Sequence, residues 1–159
     1  MTAGPPNWTD RPAPRYAGAM TPASDLSRFV SAQEGSWPAA LTELRAGAKM
    51  THWMWFIFPQ LSALGRSATA KYYGITGLEE ARDYLAHPVL GPRLIEAARA
   101  MLGHEGESPA AILGQTDALK LRSSATLFDA AGGGPEFRAI LDVFYDGIPC
   151  PLTLVELGR

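Results

Sequence analysis

His52, Gln60 and Lys120 stand in settings suited to chemistry on a small molecule. His52 and Gln60 flank an almost wholly apolar block, Thr51-His52-Trp53-Met54-Trp55-Phe56-Ile57-Phe58-Pro59-Gln60, with four of the 13 aromatics found after residue 23. Aromatic rings interleaved with fixed hydrogen bonders make a stacking pocket for a base or a similar flat ring. In that arrangement Trp53, Trp55 or Phe56 stack on the ring, Gln33 and Gln60 read its polar edges, and His52 serves as acid or base. Lys120, Ser123 and Ser124 follow the i, i+3, i+4 spacing of one helical face, a lysine and two hydroxyls able to hold phosphate or ribose. A partly buried lysine can also attack a carbonyl carbon, such as that of an open ribose. A structural reading competes at each position. The rings supply core burial, the serines bond back to the preceding turn, Gln33 caps a helix or bonds within the core, and His52 is a satisfied structural histidine.

No standard catalytic motif organises these residues. A Ser/His/Asp order, a P-loop, GxGxxG and HExxH are all missing, which argues against triad hydrolysis, P-loop phosphoryl transfer and Rossmann dinucleotide binding. One cysteine, Cys150, and three scattered histidines provide neither a disulfide framework nor metal-ligand spacing. No metal and no cofactor is therefore expected. Gly65-Arg66-Ser67 ahead of a short helix is a candidate anion turn, a pattern common by chance. His87, before Pro88, marks a helix boundary, and His104 in a polar Gly-rich loop is expected to be solvated.

The elements that must position these residues are short helices. Residues 1–23 hold five of the 13 prolines and little apolar periodicity, and are read as a disordered or loosely docked tail, with Trp8 and Tyr16 its only aromatics. Residues 24–159 form the domain. Ser24 is placed to cap a helix carrying Leu26, Phe29 and Val30, and Pro38 to open a second one ending at Gly47. Further helices are predicted over 67–73, 76–87 and 89–102, and a short one opened by Ser108-Pro109 and ending at Gly114. Another starts at Thr116 or Asp117 with a stripe of Leu119, Leu121, Leu127 and Phe128. The last two start at Pro135 and Pro151. Period-two alternation is lacking, so the aromatic block is read as a buried helical turn leading into a loop at Pro59. The fold class is all-α, a compact single domain of several short helices around an aromatic core. Without an 18-residue apolar run or a signal-type segment, the expectation is a soluble, cytoplasmic protein with no membrane contact. A net charge of −2 lacks the basic footprint of a nucleic-acid binder, although a local basic patch is compatible with it.

Four blocks carry a resemblance. They are Asp25 to Gln33, Thr51 to Leu61 (THWMWFIFPQL), Tyr73-Gly74-Ile75 with Glu80-Ala81 and Tyr84 to Gly91, and Asp117 to Phe128 (DALKLRSSATLF). Their order and spacing resemble the bacterial domain-of-unknown-function family 1810 over about residues 24–157. The resemblance implies a compact, mainly helical domain and brings no established activity. The calpastatin label sometimes attached to that family describes a long disordered chain, at odds with 47% hydrophobic residues here. Ala48 stands where the family usually has a basic residue, so a positive charge beside the aromatic block is expected to be missing. Ala125 replaces a usual Met. Cys150 replaces a usual Asp before the last helix, a weaker cap by about 1 kcal/mol. A more distant likeness is to the helical enzymes and binders of NAD and ADP-ribose chemistry, the swarming-motility-protein-like family.

Together these readings predict a pocket between Trp53–Gln60 and Lys120–Phe128. It would bind or process a nucleotide-like ligand, NAD-derived or ADP-ribose-type compounds first. The alternative is a non-enzymatic protein-binding or scaffold domain.

Overall fold

The computed structural model describes residues 25–159, so the proposed tail and the Ser24 cap lie outside the described residues. Within them the chain forms α1 (Ser27–Ala46), α2 (Met54–Ile57), a 3₁₀ turn (Ser62–Leu64), α3 (Ala68–Tyr72), α4 (Leu78–Ala86), α5 (Leu90–Leu102), α6 (Pro109–Leu113), α7 (Gln115–Ala130), α8 (Pro135–Phe144) and α9 (Pro151–Glu156). The all-α expectation holds, and the one β-type feature among the described residues is an isolated parallel bridge between Leu61 and Ile75. No helix among them is long and apolar enough to cross a membrane.

Local chemistry explains most boundaries. Ser67 and Ser108 accept the N–H of Ala70 and of Ala111, capping α3 and α6. Gly47 takes a left-handed φ of 74° and closes α1 through a bond from its N–H to Leu44. Two expectations are corrected. The segments on either side of Pro38 form one 20-residue helix, not two. Pro38 leaves the Glu34 carbonyl without its helical partner, but Glu34 and Gly35 are exposed, so water can serve it. Burial of Phe29 and Gln33 before the proline, and of Ala40 and Leu44 after it, holds both halves on one axis. The start of α7 is set not by Thr116 or Asp117 but by Gly114, whose φ of 90° turns the chain sharply out of α6.

Helix α7 packs against α4, α6, α8 and α9, while α5 packs against α1, α2, α4 and α8. The core between them is a relay of rings. Tyr84 meets Phe29 edge-on at 5.1 Å and Phe128 at 5.4 Å, and Phe128 meets Phe137 at 5.6 Å. These contacts link α1, α4, α7 and α8. The aromatic block adds Trp53, Phe56 and Phe58 to the same core. Leu119, expected on the apolar stripe of α7, is instead 64% exposed.

Candidate functional site

Helix α2 packs on α1 and α5, and its Trp55 reaches Lys120 near the start of α7, an arrangement that divides the predicted site residues into two groups. Trp55 is half-buried, with the Lys120 ammonium 5.5 Å from its ring centre and the exposed His52 ring 6.5 Å away. Gln60, Ala70 and Tyr73 join Trp55 and Lys120 around a crevice of about 10 Å³, room for one water molecule. Trp55, Gln60, Lys120 and His52 therefore share one face of the molecule.

The remaining predicted residues face inward. Gln33 is buried and donates to the Phe56 carbonyl at 2.8 Å and to the Tyr84 hydroxyl at 3.1 Å, joining α1, α2 and α4. Phe56 offers that carbonyl while its ring sits in the core. Trp53 is buried, and its indole N–H donates to Glu43 at 2.8 Å. Ser123 donates to the Leu119 carbonyl at 3.2 Å and lies 3.3 Å from Cys150 Sγ, while Ser124 Oγ is buried without a hydrogen-bond partner. The face shared by Lys120, Ser123 and Ser124 thus changes character along α7. Lys120 reaches the surface, and the serines lie under α9 and in the core. Burial pushes the Cys150 thiol up, but the Ser123 and Thr153 hydroxyls and the backbone N–H groups of Leu152 and Thr153 outweigh it and hold the thiol below its ordinary range.

Two charged residues complete the face. Asp117 bridges both lysines, Lys49 at 3.0 Å and Lys120 at 3.5 Å. Lys49 also lies 5.2 Å from the Trp53 ring centre. The positive charge expected to be missing at Ala48 is thus supplied by the next residue. A signal was present in the sequence. From Leu44 to Leu78 the chain has no Asp or Glu but carries Arg45, Lys49, Arg66 and Lys71. His104 also departs from expectation. Its Nε2 lies 2.7 Å from the Leu44 carbonyl at the end of α1, and its Nδ1 lies 3.3 Å from Glu107. The open carbonyls of a helix end recruit it.

Glu43 fixes the loop that leads into the site. Its carboxylate accepts from the Met50 and Thr51 N–H groups, the Thr51 hydroxyl and the Trp53 indole, at 2.7–3.0 Å. Burial raises the carboxyl pKa, but these donors outweigh it and bring it from 4.5 to about 2. The lowered value makes this a stabilising contribution that is complete above pH 4.5 and is lost as pH falls towards 2. Glu43→Gln is expected to cost about 1–2 kcal/mol at neutral pH, allowing for solvent access, and to flatten the acid branch of stability. Urea unfolding from pH 2 to 6 checks this. An unchanged acid branch would remove Glu43 as its source.

Among the described residues no group of three or more His, Cys, Asp or Glu could hold a metal ion. The chain matches the model of the family described as "Protein of unknown function (DUF1810)" over residues 23–157. It is similar to the crystal structure of the conserved hypothetical protein Rv1873 from Mycobacterium tuberculosis, with 46% identity and a TM-score of 0.83. That likeness covers 85% of this chain and 97% of the other. No protein with a curated description matches.

Proposed function

We propose, for a chain that belongs to the DUF1810 family of unknown function, that the Trp55–Gln60–Lys120 face binds a nucleotide-like ligand, NAD-derived and ADP-ribose-type compounds first. The observation that supports this reading is the Lys120 ammonium over the Trp55 ring beside the Gln60 amide. A ring stacks on an indole, an amide reads its edge, and a half-exposed lysine attracts a phosphate. The two lysines share the single Asp117 carboxylate, which leaves the cluster one positive charge in excess. The crevice admits only a water, so the ligand rests on the outer side of Trp55 instead of entering between α2 and α7. Gln33, Trp53, Phe56, Ser123 and Ser124 support the face from within, and Lys120 and His52 are its candidates for nucleophile and acid/base.

Lys120→Ala is expected to leave the core intact, because Lys120 lies outside the apolar cluster and its pairing with Asp117 is long, at 3.5 Å. The substitution is expected to weaken ligand binding at least about tenfold, or 1.4 kcal/mol. A thermal-shift series with ADP-ribose, NAD and AMP, followed by calorimetric titration, measures this. Ligand at 100 times its dissociation constant adds about 2.7 kcal/mol of stability. No shift with any of them would overturn the reading.

One observation favours the scaffold alternative. Leu119, Ile148, Leu152 and Val155 are each more than half exposed, three of them within residues 148–155. The same titration separates the two, since a scaffold saturates with none of these ligands.

A further inference from the structure

A second hollow, of about 430 Å³, adjoins the Trp55 crevice and is lined in part by Ser62, Lys71, Tyr72 and Thr76. Two chain segments run from one to the other. Gln60 and Ser62 flank Leu61, which turns inward into the core while both neighbours stay half-exposed. In extended chain such residues face the same side, about 6.6 Å apart. The Leu61–Ile75 bridge holds this segment, with Ser62 N–H bonded to Ile75 at 2.9 Å and Ile75 N–H to Gln60 at 2.8 Å. On the other side, Ala70 and Tyr73 line the crevice while Lys71, Tyr72 and Gly74 line the hollow. The two depressions therefore share one ledge. Lys120 stands at one end of it and Lys71 at the other, two of the chain's three lysines.

Size divides the labour. Small-molecule sites enclose about 300–1,000 Å³, a range the hollow meets and the crevice does not. The Trp55 platform can stack a ring but cannot enclose it. The hollow, open to solvent, can seat the rest of a larger molecule against hydroxyl, phenol and ammonium groups. Its two carboxylates are balanced in formal charge by Arg28 and Lys71, which line it as well. Glu80 is committed to Arg28 and the Thr76 N–H, and Asp25 accepts from the Ser27 N–H.

We infer that the ligand is bipartite, of dinucleotide length. One ring lies on Trp55, a pyrophosphate crosses the ledge between Lys120 and Lys71, and the second sugar with its substituent fills the hollow lined by Ser62, Tyr72 and Thr76. The inference rests on the reading of the Trp55 face given above and adds a second subsite to it.

Calorimetric titration of the full chain with AMP, ADP-ribose and NAD tests the inference, comparing wild type with Lys71→Glu and Thr76→Trp. Both altered residues are exposed, so the fold is expected to persist. The expected result is that a dinucleotide binds at least about tenfold tighter than AMP in the wild type. Each variant should remove that advantage, and Thr76→Trp, which lies beyond the phosphates, should leave AMP binding unchanged. Equal affinity for AMP and the dinucleotides, or an advantage that survives both substitutions, overturns the second subsite and leaves the Trp55 reading standing. If neither AMP nor a dinucleotide binds, both fall.

Discussion

Arg28→Ala is expected to lower the unfolding free energy by about 3–5 kcal/mol, the usual cost of removing one partner of a buried ion pair. The guanidinium is buried and makes four hydrogen bonds. Its Nε donates to the Tyr72 carbonyl at 2.8 Å, and its two terminal nitrogens donate to the carbonyls of Asp25 at 2.8 Å and Gly74 at 2.9 Å and to the Glu80 carboxylate at 3.3 Å. It also lies 4.4 Å from the Phe29 ring centre. Truncation would strand the Glu80 charge and the Gly74 carbonyl, both buried although they line the hollow. Arg28→Lys should restore only part of the loss, because a point charge cannot reproduce a planar fork that bonds in three directions. Adding Glu80→Gln to Arg28→Ala should recover stability, since the uncompensated charge disappears. Urea unfolding of the four proteins measures this. A loss below about 1 kcal/mol for Arg28→Ala would mean that the pair is solvated, as surface pairs are.

Gly74→Ala carries the second large effect, about 3 kcal/mol, at the upper end for overpacking. The constraint is space, since Gly74 lies outside the positive-φ region. A Cβ at Gly74 would stand 2.3 Å from both the Cα and the Cβ of Ser62. That contact is with backbone, so relief requires the Leu61–Ser62 segment to move away from Ile75 and break the bridge between them. The same movement would spread the ledge that carries Gln60. Thermal unfolding should therefore show the loss, and any ligand of the Trp55 face should bind more weakly than the stability change alone explains. An unperturbed melting temperature would show that the two segments separate freely.

Several features of the site could be read from residue types alone, and others could not. Trp55, Gln60 and Lys120 were legible together because an apolar block with polar ends, and a lysine on a helix of small residues, each point to a half-exposed position. Trp53 and Trp55 were not distinguishable, since two residues of one short helical block carry the same indole. The packing of α2 decided that Trp53 turns to Glu43 and the core and Trp55 to Lys120. Ser123 and Ser124 followed the spacing of Lys120, but the spacing does not say where α9 crosses α7. Asp117 was read as a helix start, and its role between Lys49 and Lys120 depends on residues 68 positions apart meeting in space.

The sequence by itself determined the all-helical class, most of the helix ends, the family and many of the core-forming residues. These follow from interactions within a few residues, such as serine caps, left-handed glycines and apolar spacing along one helix. The tertiary structure alone decided that α1 runs through Pro38, that His104 closes the end of α1, that Arg28 joins three segments and that the Gln60–Ser62 ledge links two hollows. Each of these depends on contacts between residues distant in the chain. Their stabilisation outweighs local preference only once the helices have packed.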